Sequence, residues 1–99
     1  MAIIEHEDNE HKGRFFVKDG NAYLAQMTYS RAGAEKIIIS HTEVDDRLKG
    51  QGTGKKMLDA IVAWARVQQL QIIPLCPFAK AMMEKNMDEY KDVLTGYKQ

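Results

Sequence analysis

The chain changes its apolar rhythm on either side of one glycine-rich loop, and this limits its fold more than any other feature. Residues 36–44 read "KIIISHTEV", an apolar, β-branched run suited to a strand in the middle of a sheet. Beyond the loop the apolar residues fall at Met57, Leu58, Ile61, Val62 and Ala65, one stripe of a helix. Lys55, Lys56, Asp59, Arg66 and Gln69 take its outer side. "LQIIPLC" follows as a short strand that Pro74 limits. Strand, helix and strand in this order make a parallel crossover unit. The loop between strand and helix reads "RLKGQGTGKK": Gly50, Gly52 and Gly54 alternate, and Lys49, Lys55 and Lys56 flank them.

The first half reads as strands joined by short turns. Ile3 and Ile4 open one, and the polar run "EHEDNEHKG" is a connection closed by Gly13. "RFFVKD" is a second strand, and Asp19-Gly20 signals a hairpin turn. In "NAYLAQMTYS", Tyr23, Ala25, Met27 and Tyr29 share one face of a third strand. "RAGAE" turns the chain into the isoleucine-rich strand. Pro77 suits the first position of a second helix, which runs through "FAKAMMEKNMDEYKDVL" with a break near Asn86. Gly96 and the polar tail close the chain. The expected fold class is α/β (α+β): a mixed, mostly antiparallel sheet, built as a meander of about four strands, plus one parallel β-α-β unit, with helices packed on the sheet. With 99 residues, a single domain over 1–99 is expected.

Bulk properties exclude several roles. Acidic and basic residues balance at 14 each, and no basic stripe follows one helix, which argues against nucleic acid as a partner. The opening "MAIIEHEDNEHK" has no basic start and too short an apolar run for a signal peptide. No window approaches the run of about 18 apolar residues that spans a bilayer. Cys76 is the single cysteine, so no internal disulfide can form. These features favour a soluble cytoplasmic protein without a membrane partner. His6 and His11 sit among carboxylates in "EHEDNEH" without recognised metal-ligand spacing, so a solvated connection and no metal are expected. Trp64 and the methionines Met82, Met83 and Met87 read as core or pocket lining.

Bare backbone opening a helix suits phosphate. Unpaired N–H groups point out together at the positive end of the helix dipole, and glycine lets a ligand approach closely. Two familiar phosphate loops fail on spacing. Lys49 stands where the Walker A pattern needs its first glycine, and Lys56 replaces its Ser or Thr. The dinucleotide fingerprint would need a glycine at Lys55 or Met57.

"KGQGTG" instead resembles the [RQ]-x-x-G-x-[GA] signature of the GNAT acetyltransferase superfamily, with Lys49 at the usual Arg or Gln position. The resemblance runs from about Lys36 to Asn86, and the whole chain looks like a small subgroup of that superfamily. It implies acetyl-coenzyme A as the cofactor. The pyrophosphate would lie on Lys49, Gly50, Gln51, Gly52, Thr53, Gly54 and Lys55. The pantetheine arm would lie between two splayed parallel strands, pairing with backbone around Thr42, Glu43 and Val44. The resemblance also implies an amine acceptor, small or on a protein, which the sequence does not identify. A monomer or weak dimer is expected.

Two departures bear on function. The two helices that usually follow the first strand are missing, and no strand pair is evident after Asn86, so the acceptor half is open. The family's N-x-x-A-x-x-x-Y-x-K helix lies over "CPFAKAMMEK" with Ala79 and Lys85 matched, Cys76 at the Asn position and Met83 at the Tyr position. The usual general acid is therefore absent there, and Tyr90 lies seven residues on. Cys76, between a strand end and a Pro-started helix and near the implied thioester, is the leading catalytic candidate, against the plainer reading of a small buried residue. His41 and Glu43 share one face of the strongest strand, and either is a candidate base for the amine. The expected activity is N-acetyl transfer. The alternative is a non-catalytic acetyl-coenzyme A-binding module whose partner completes an acceptor site.

Overall fold

The computed structural model describes residues 3–94, so the reading of Gly96 and the tail lies outside the described residues. A five-stranded sheet runs in the order β1-β2-β3-β4-β5. β1 (Glu5–Asp8), β2 (Lys12–Asp19), β3 (Ala22–Arg31) and β4 (Lys36–Val44) form an antiparallel meander. A 3-10 turn (Asp46–Leu48) and the glycine loop lead into α1 (Thr53–Gln68), which crosses over to β5 (Gln71–Pro74), parallel to β4. α2 (Pro77–Lys85) starts on its proline, and Asn86, at φ −121°, separates it from α3 (Met87–Tyr90). Meander, crossover, proline start and break all fall where the sequence puts them. No helix among the described residues is long and apolar enough to cross a membrane.

One stretch differs. Glu5–Asp8, the first part of the polar run after Ile4, form a strand; residues 9–11 alone connect it to β2, and Ile3 and Ile4 precede it. Glu5, His6, Glu7 and Asp8 pair with Phe16, Phe15, Arg14 and Gly13. Gly13 therefore lies inside β2, where a Cβ would collide with Asp8 Cβ and meet Tyr29 Oη at 2.5 Å. The tyrosine crosses the bare backbone of its cross-strand partner, which explains a glycine in mid-strand. The four residues of β1 are exposed and polar, so the apolar-pattern criterion passes over them.

A single core lies between one sheet face and the helices. Phe15, Val17, Met27, Tyr29, Ile37 and Ile39 from the sheet meet Met57, Leu58, Ile61, Val62 and Ala65 of α1, Ala79 and Met83 of α2, and Tyr90 of α3. The opposite sheet face carries no helix among the described residues. Val93 and Leu94 lie along the far edge of β5, where Ile72 N–H donates to Val93 O at 2.6 Å.

His6, although exposed, is packed and hydrogen-bonded rather than free in a connection. Its ring stacks on Phe15 at 4.0 Å and meets the Trp64 edge at 4.8 Å. Its Nε2 lies 2.7 Å from Tyr29 Oη. That hydroxyl donates to Asp8, so it accepts from the Nε2–H of His6. Alternation along β1 turns His6 inward, onto the aromatic edge of the core.

Three substitutions test this packing. Gly13→Ala should cost about 1–3 kcal/mol in urea denaturation through overpacking against Tyr29 and Asp8. Gly20→Ala, in open space at φ +63°, should cost only the left-handed strain of about 1–2 kcal/mol. Burial lowers the pKa of His6 below 6.5, with Asp8 opposing and Arg31 reinforcing the shift. The folded state then binds the proton more weakly than the unfolded chain. Its stability is intact above pH 6.5 and declines as the pH falls through and below that value. His6→Gln should flatten this slope between about pH 7.5 and pH 5.5 in urea midpoints.

Candidate functional site

β4 changes face partway along its length. Tyr29 pairs with Ile39 and Thr28 with His41, so Ser40 is an extra residue, a β-bulge. Before it, Ile37 and Ile39 point into the core; after it, Thr42 does, opposite Met27. His41 and Glu43 are thereby placed on the helix-free face, opposite Thr28 and Gln26. Without the extra residue, the two would have continued the inward series of Ile37 and Ile39.

The same place ends the parallel pairing. The last β4–β5 pair is Ile39 with Pro74. Ile39 O then accepts two N–H groups, from Leu75 and Cys76, both at 3.0 Å. Residues 40–44 continue along β3 alone. Asp45 N–H donates to Leu24 O on β3, so by alternation the backbone groups of Thr42 and Val44 turn toward the β5 side. Cys76, buried at the N-cap of α2, closes the inner end of this gap: its thiol donates to Thr42 Oγ1 at 3.0 Å. Val44, at the outer end, is partly exposed.

The glycine loop opens α1 beside the gap. Its glycines act for different reasons. Gly50 (φ 80°) and Gly52 (φ 69°) hold left-handed backbone, and a Cβ on either would meet nothing within 4 Å. Gly54 is in the helix, where a Cβ would strike the Phe78 ring of α2 at 2.6 Å. Gly52 caps α1 without a side-chain hydrogen bond, and no acidic residue stands in the first turn. The N–H groups of Thr53, Gly54 and Lys55 open the helix without an intrahelical acceptor. Thr53 is buried, yet its Oγ1 has no hydrogen-bond partner among the described residues. Uncapped donors, an orphaned hydroxyl and clear space over two glycines fit an anionic group seated there.

The flanking charges divide. Lys49 is well exposed, 3.7 Å from an exposed Asp46. Lys55 Nζ is held by Asp59 (3.0 Å), Tyr90 Oη (3.2 Å) and Glu89 (3.5 Å). The bonds to Asp59 and Tyr90 raise its pKa. Its ammonium ties α1 to α3, which leaves its backbone N–H as its contribution to the loop. Tyr90 donates to Asp59 at 2.6 Å and is buried, so its hydroxyl serves the same tie. On the other face, His41 and Glu43 are 3.4 Å apart and more than half exposed. Gln26 Nε2 donates to Glu43 at 2.9 Å, and this bond, then His41, lowers the pKa of Glu43.

Sequence reasoning named Thr53 and Thr42 for the cofactor but not the buried hydroxyl of the one or the bond of the other to Cys76, and it missed Gln26 as the anchor of Glu43. Only the last had a readable signal, as a polar residue alternating with the apolar face of β3.

Residues 14–93 match the family described as GCN5-related N-acetyl-transferase. The chain belongs to this family. Nothing among curated proteins matches it in sequence. In structure, this GNAT-family chain is similar to a GCN5-like candidate N-acetyltransferase from Staphylococcus aureus, at 45% identity and a TM-score of 0.73 over 96% of this chain and 91% of that one. It also resembles a ribosomal-protein-alanine N-acetyltransferase from Brucella melitensis biovar Abortus 2308, at 11% identity and a TM-score of 0.60, over 92% of this chain and 67% of that one. A third likeness is to AAC(6')-Iy bound to the bisubstrate analog CoA-S-monomethyl-acetylneamine, at 11% identity and a TM-score of 0.52, over 92% and 65% of the two chains. The GNAT chain thus spans about two thirds of the latter two, which share its fold.

The Gly54–Phe78 contact yields a coupling prediction. Gly54→Ala gains helix propensity of about 1 kcal/mol but displaces the ring, at about 1–3 kcal/mol. In a double-mutant cycle, Gly54→Ala should destabilise the parent and be neutral or stabilising in a Phe78→Ala background.

Proposed function

We propose that this chain binds acetyl-coenzyme A and transfers its acetyl group to an amine. The observation that carries the reading is the uncapped start of α1: free backbone donors, clear space above Gly50 and Gly52, and the orphaned Thr53 hydroxyl. The family match and the analog bound by AAC(6')-Iy support the choice of anion. The N–H groups of residues 52–55 hold the pyrophosphate, with Lys49 as countercharge and Gly50 and Gln51 shaping the approach. The backbone of Thr42 and Val44, with Glu43 between them, aligns the pantetheine arm as an added strand. When bound, acetyl-coenzyme A supplies an acetyl thioester.

Three side chains then have roles. Glu43, with His41 beside it, accepts the proton that the ammonium form of the acceptor must lose before attack. Cys76 Sγ, at the inner end of the gap, takes the acetyl group by thioester exchange. A carbon–sulfur bond forms to Cys76, the bond to the coenzyme sulfur breaks, and the thiol proton leaves with that sulfur. The amine nitrogen next bonds the acetyl carbon, the bond to Cys76 breaks, and the second proton, shed by the nitrogen as the amide forms, returns to the Cys76 sulfur. Backbone donors turned into the gap steady the charge that develops on the carbonyl oxygen.

A second reading is kept by one observation: the helix-free face carries no covering helix among the described residues, although Glu7, Arg14, Thr28 and Ser40 line a cavity of about 710 Å³ there. On that reading the chain holds the cofactor and a partner completes the site. Amine-dependent release of free thiol separates the two.

Titration with acetyl-coenzyme A should shift the backbone amide resonances of residues 50–56 saturably. No shift at millimolar concentration would overturn the binding reading. Gly52→Val should weaken binding about tenfold or more, since one misplaced charge-assisted N–H contact is worth about 1.5–3 kcal/mol. Cys76→Ala should abolish acetyl labelling of the protein, read by intact mass, and lower turnover while leaving affinity for the cofactor within about threefold, because the arm is held by main chain. Unchanged turnover in that variant removes Cys76 from the reaction.

A further inference from the structure

Five polar side chains from four strands form one hydrogen-bonded row across the helix-free face. Glu7 of β1 accepts from Arg14 Nε at 2.8 Å, and Arg14 Nη1 donates to Gln26 Oε1 at 3.0 Å. Gln26 Nε2 donates to Glu43 Oε1 at 2.9 Å, and Glu43 Oε2 faces His41 Nε2 at 3.4 Å. The register explains the alignment. Glu7 stands opposite Arg14, Gln26 opposite Glu43, and Arg14 reaches Gln26 on the diagonal.

The row has a direction. An amide has one accepting end and one donating end, and which end points where is normally free to invert. A guanidinium can only donate, so Arg14 takes the oxygen of Gln26 and leaves its NH2 for Glu43. Arg14 is itself immobilised. Its Nη2 donates to Tyr23 Oη at 2.9 Å, and its plane lies over the Tyr23 ring at 4.1 Å and nearer the Phe16 ring than 6 Å, at 5.5 Å. Glu43, by contrast, is long and more than half exposed, and its own strand gives it only His41 as a neighbour in the row.

We propose that Gln26 and Arg14 are positioning residues for acetyl transfer, which fix the Glu43 carboxylate and make the helix-free face the side from which the amine approaches. This rests on the role given to Glu43 above. A base acts only within about 2.6–3.2 Å of the proton it takes, so an exposed carboxylate gains from a fixed oxygen. The charged and titratable groups toward Glu43 are His41 on β4, Arg14 behind Gln26 from β2, and Asp45 in the next loop, itself paired with Arg47. The bond from Gln26 also favours the ionised carboxylate.

The test uses the full chain, acetyl-coenzyme A, and a set of small primary amines together with a lysine-containing peptide. Thiol release is followed across pH for the parent, Gln26→Met, Gln26→Leu and Arg14→Lys. Gln26→Met and Gln26→Leu should each lower turnover about tenfold to a hundredfold, with the Michaelis constant for acetyl-coenzyme A unchanged within about twofold. The acid limb of the profile should move to higher pH, because the carboxylate loses a donor. Arg14→Lys, which keeps charge but not the fork, should fall between these and the parent. Carbon NMR titration of the Glu43 carboxyl, without substrates, should show the same upward movement in both Gln26 variants. Parent-like turnover and acid limb in both, or an unmoved Glu43 titration, overturns the positioning role and leaves the proposed function standing. A parent that acetylates no amine overturns the proposed function, and the positioning role falls with it.

Discussion

The carbonyl oxygen of Ile39 decides how two parallel strands come apart. It receives N–H groups from both Leu75 and Cys76, so the chain after Pro74 turns into α2 instead of continuing beside β4. The bulge at Ser40 occurs at the same level and rotates the rest of β4. Together they create a slot with main-chain groups on one wall and a thiol at its inner end. A strand pair that remained in register would have used those backbone groups on itself.

The glycine loop complements that slot because no protein group occupies its donors. An ordinary helix start carries Ser, Thr, Asp or Asn as its cap. Gly52 offers no side chain, and the first turn carries lysines where acidic residues are usual. The arrangement lowers the intrinsic stability of α1 at its first turn. Tertiary contacts offset this: Phe78 seats on Gly54, and Lys55 joins Asp59 to Tyr90. Charge that looked available in sequence is partly spent on holding the helix that presents the loop.

Most of the fold was legible because its strong elements carry strong periods. The isoleucines of β4, the α1 stripe and the proline that starts α2 each state their structure locally. β1 was illegible because its four residues are polar and exposed, and it is a strand through pairing alone. Gly13, read as a turn, answers to Tyr29 sixteen residues away, which no local rule detects. At the site, the loop and the pairing of His41 with Glu43 on one face followed from spacing. The face itself did not, since one bulged residue sets it. The thiol–hydroxyl contact between Cys76 and Thr42 and the commitment of Lys55 to α3 are likewise products of tertiary arrangement.

The inward turn of His6 also gives the chain an optical property. Trp64 is its single tryptophan, and the imidazole edge sits 4.8 Å from it. A protonated imidazole draws electron density from an excited indole, so intrinsic emission dims as His6 takes up a proton. The fluorophore therefore reports on the seam where β1 meets the C-terminal half of α1, whose N-terminus carries the loop.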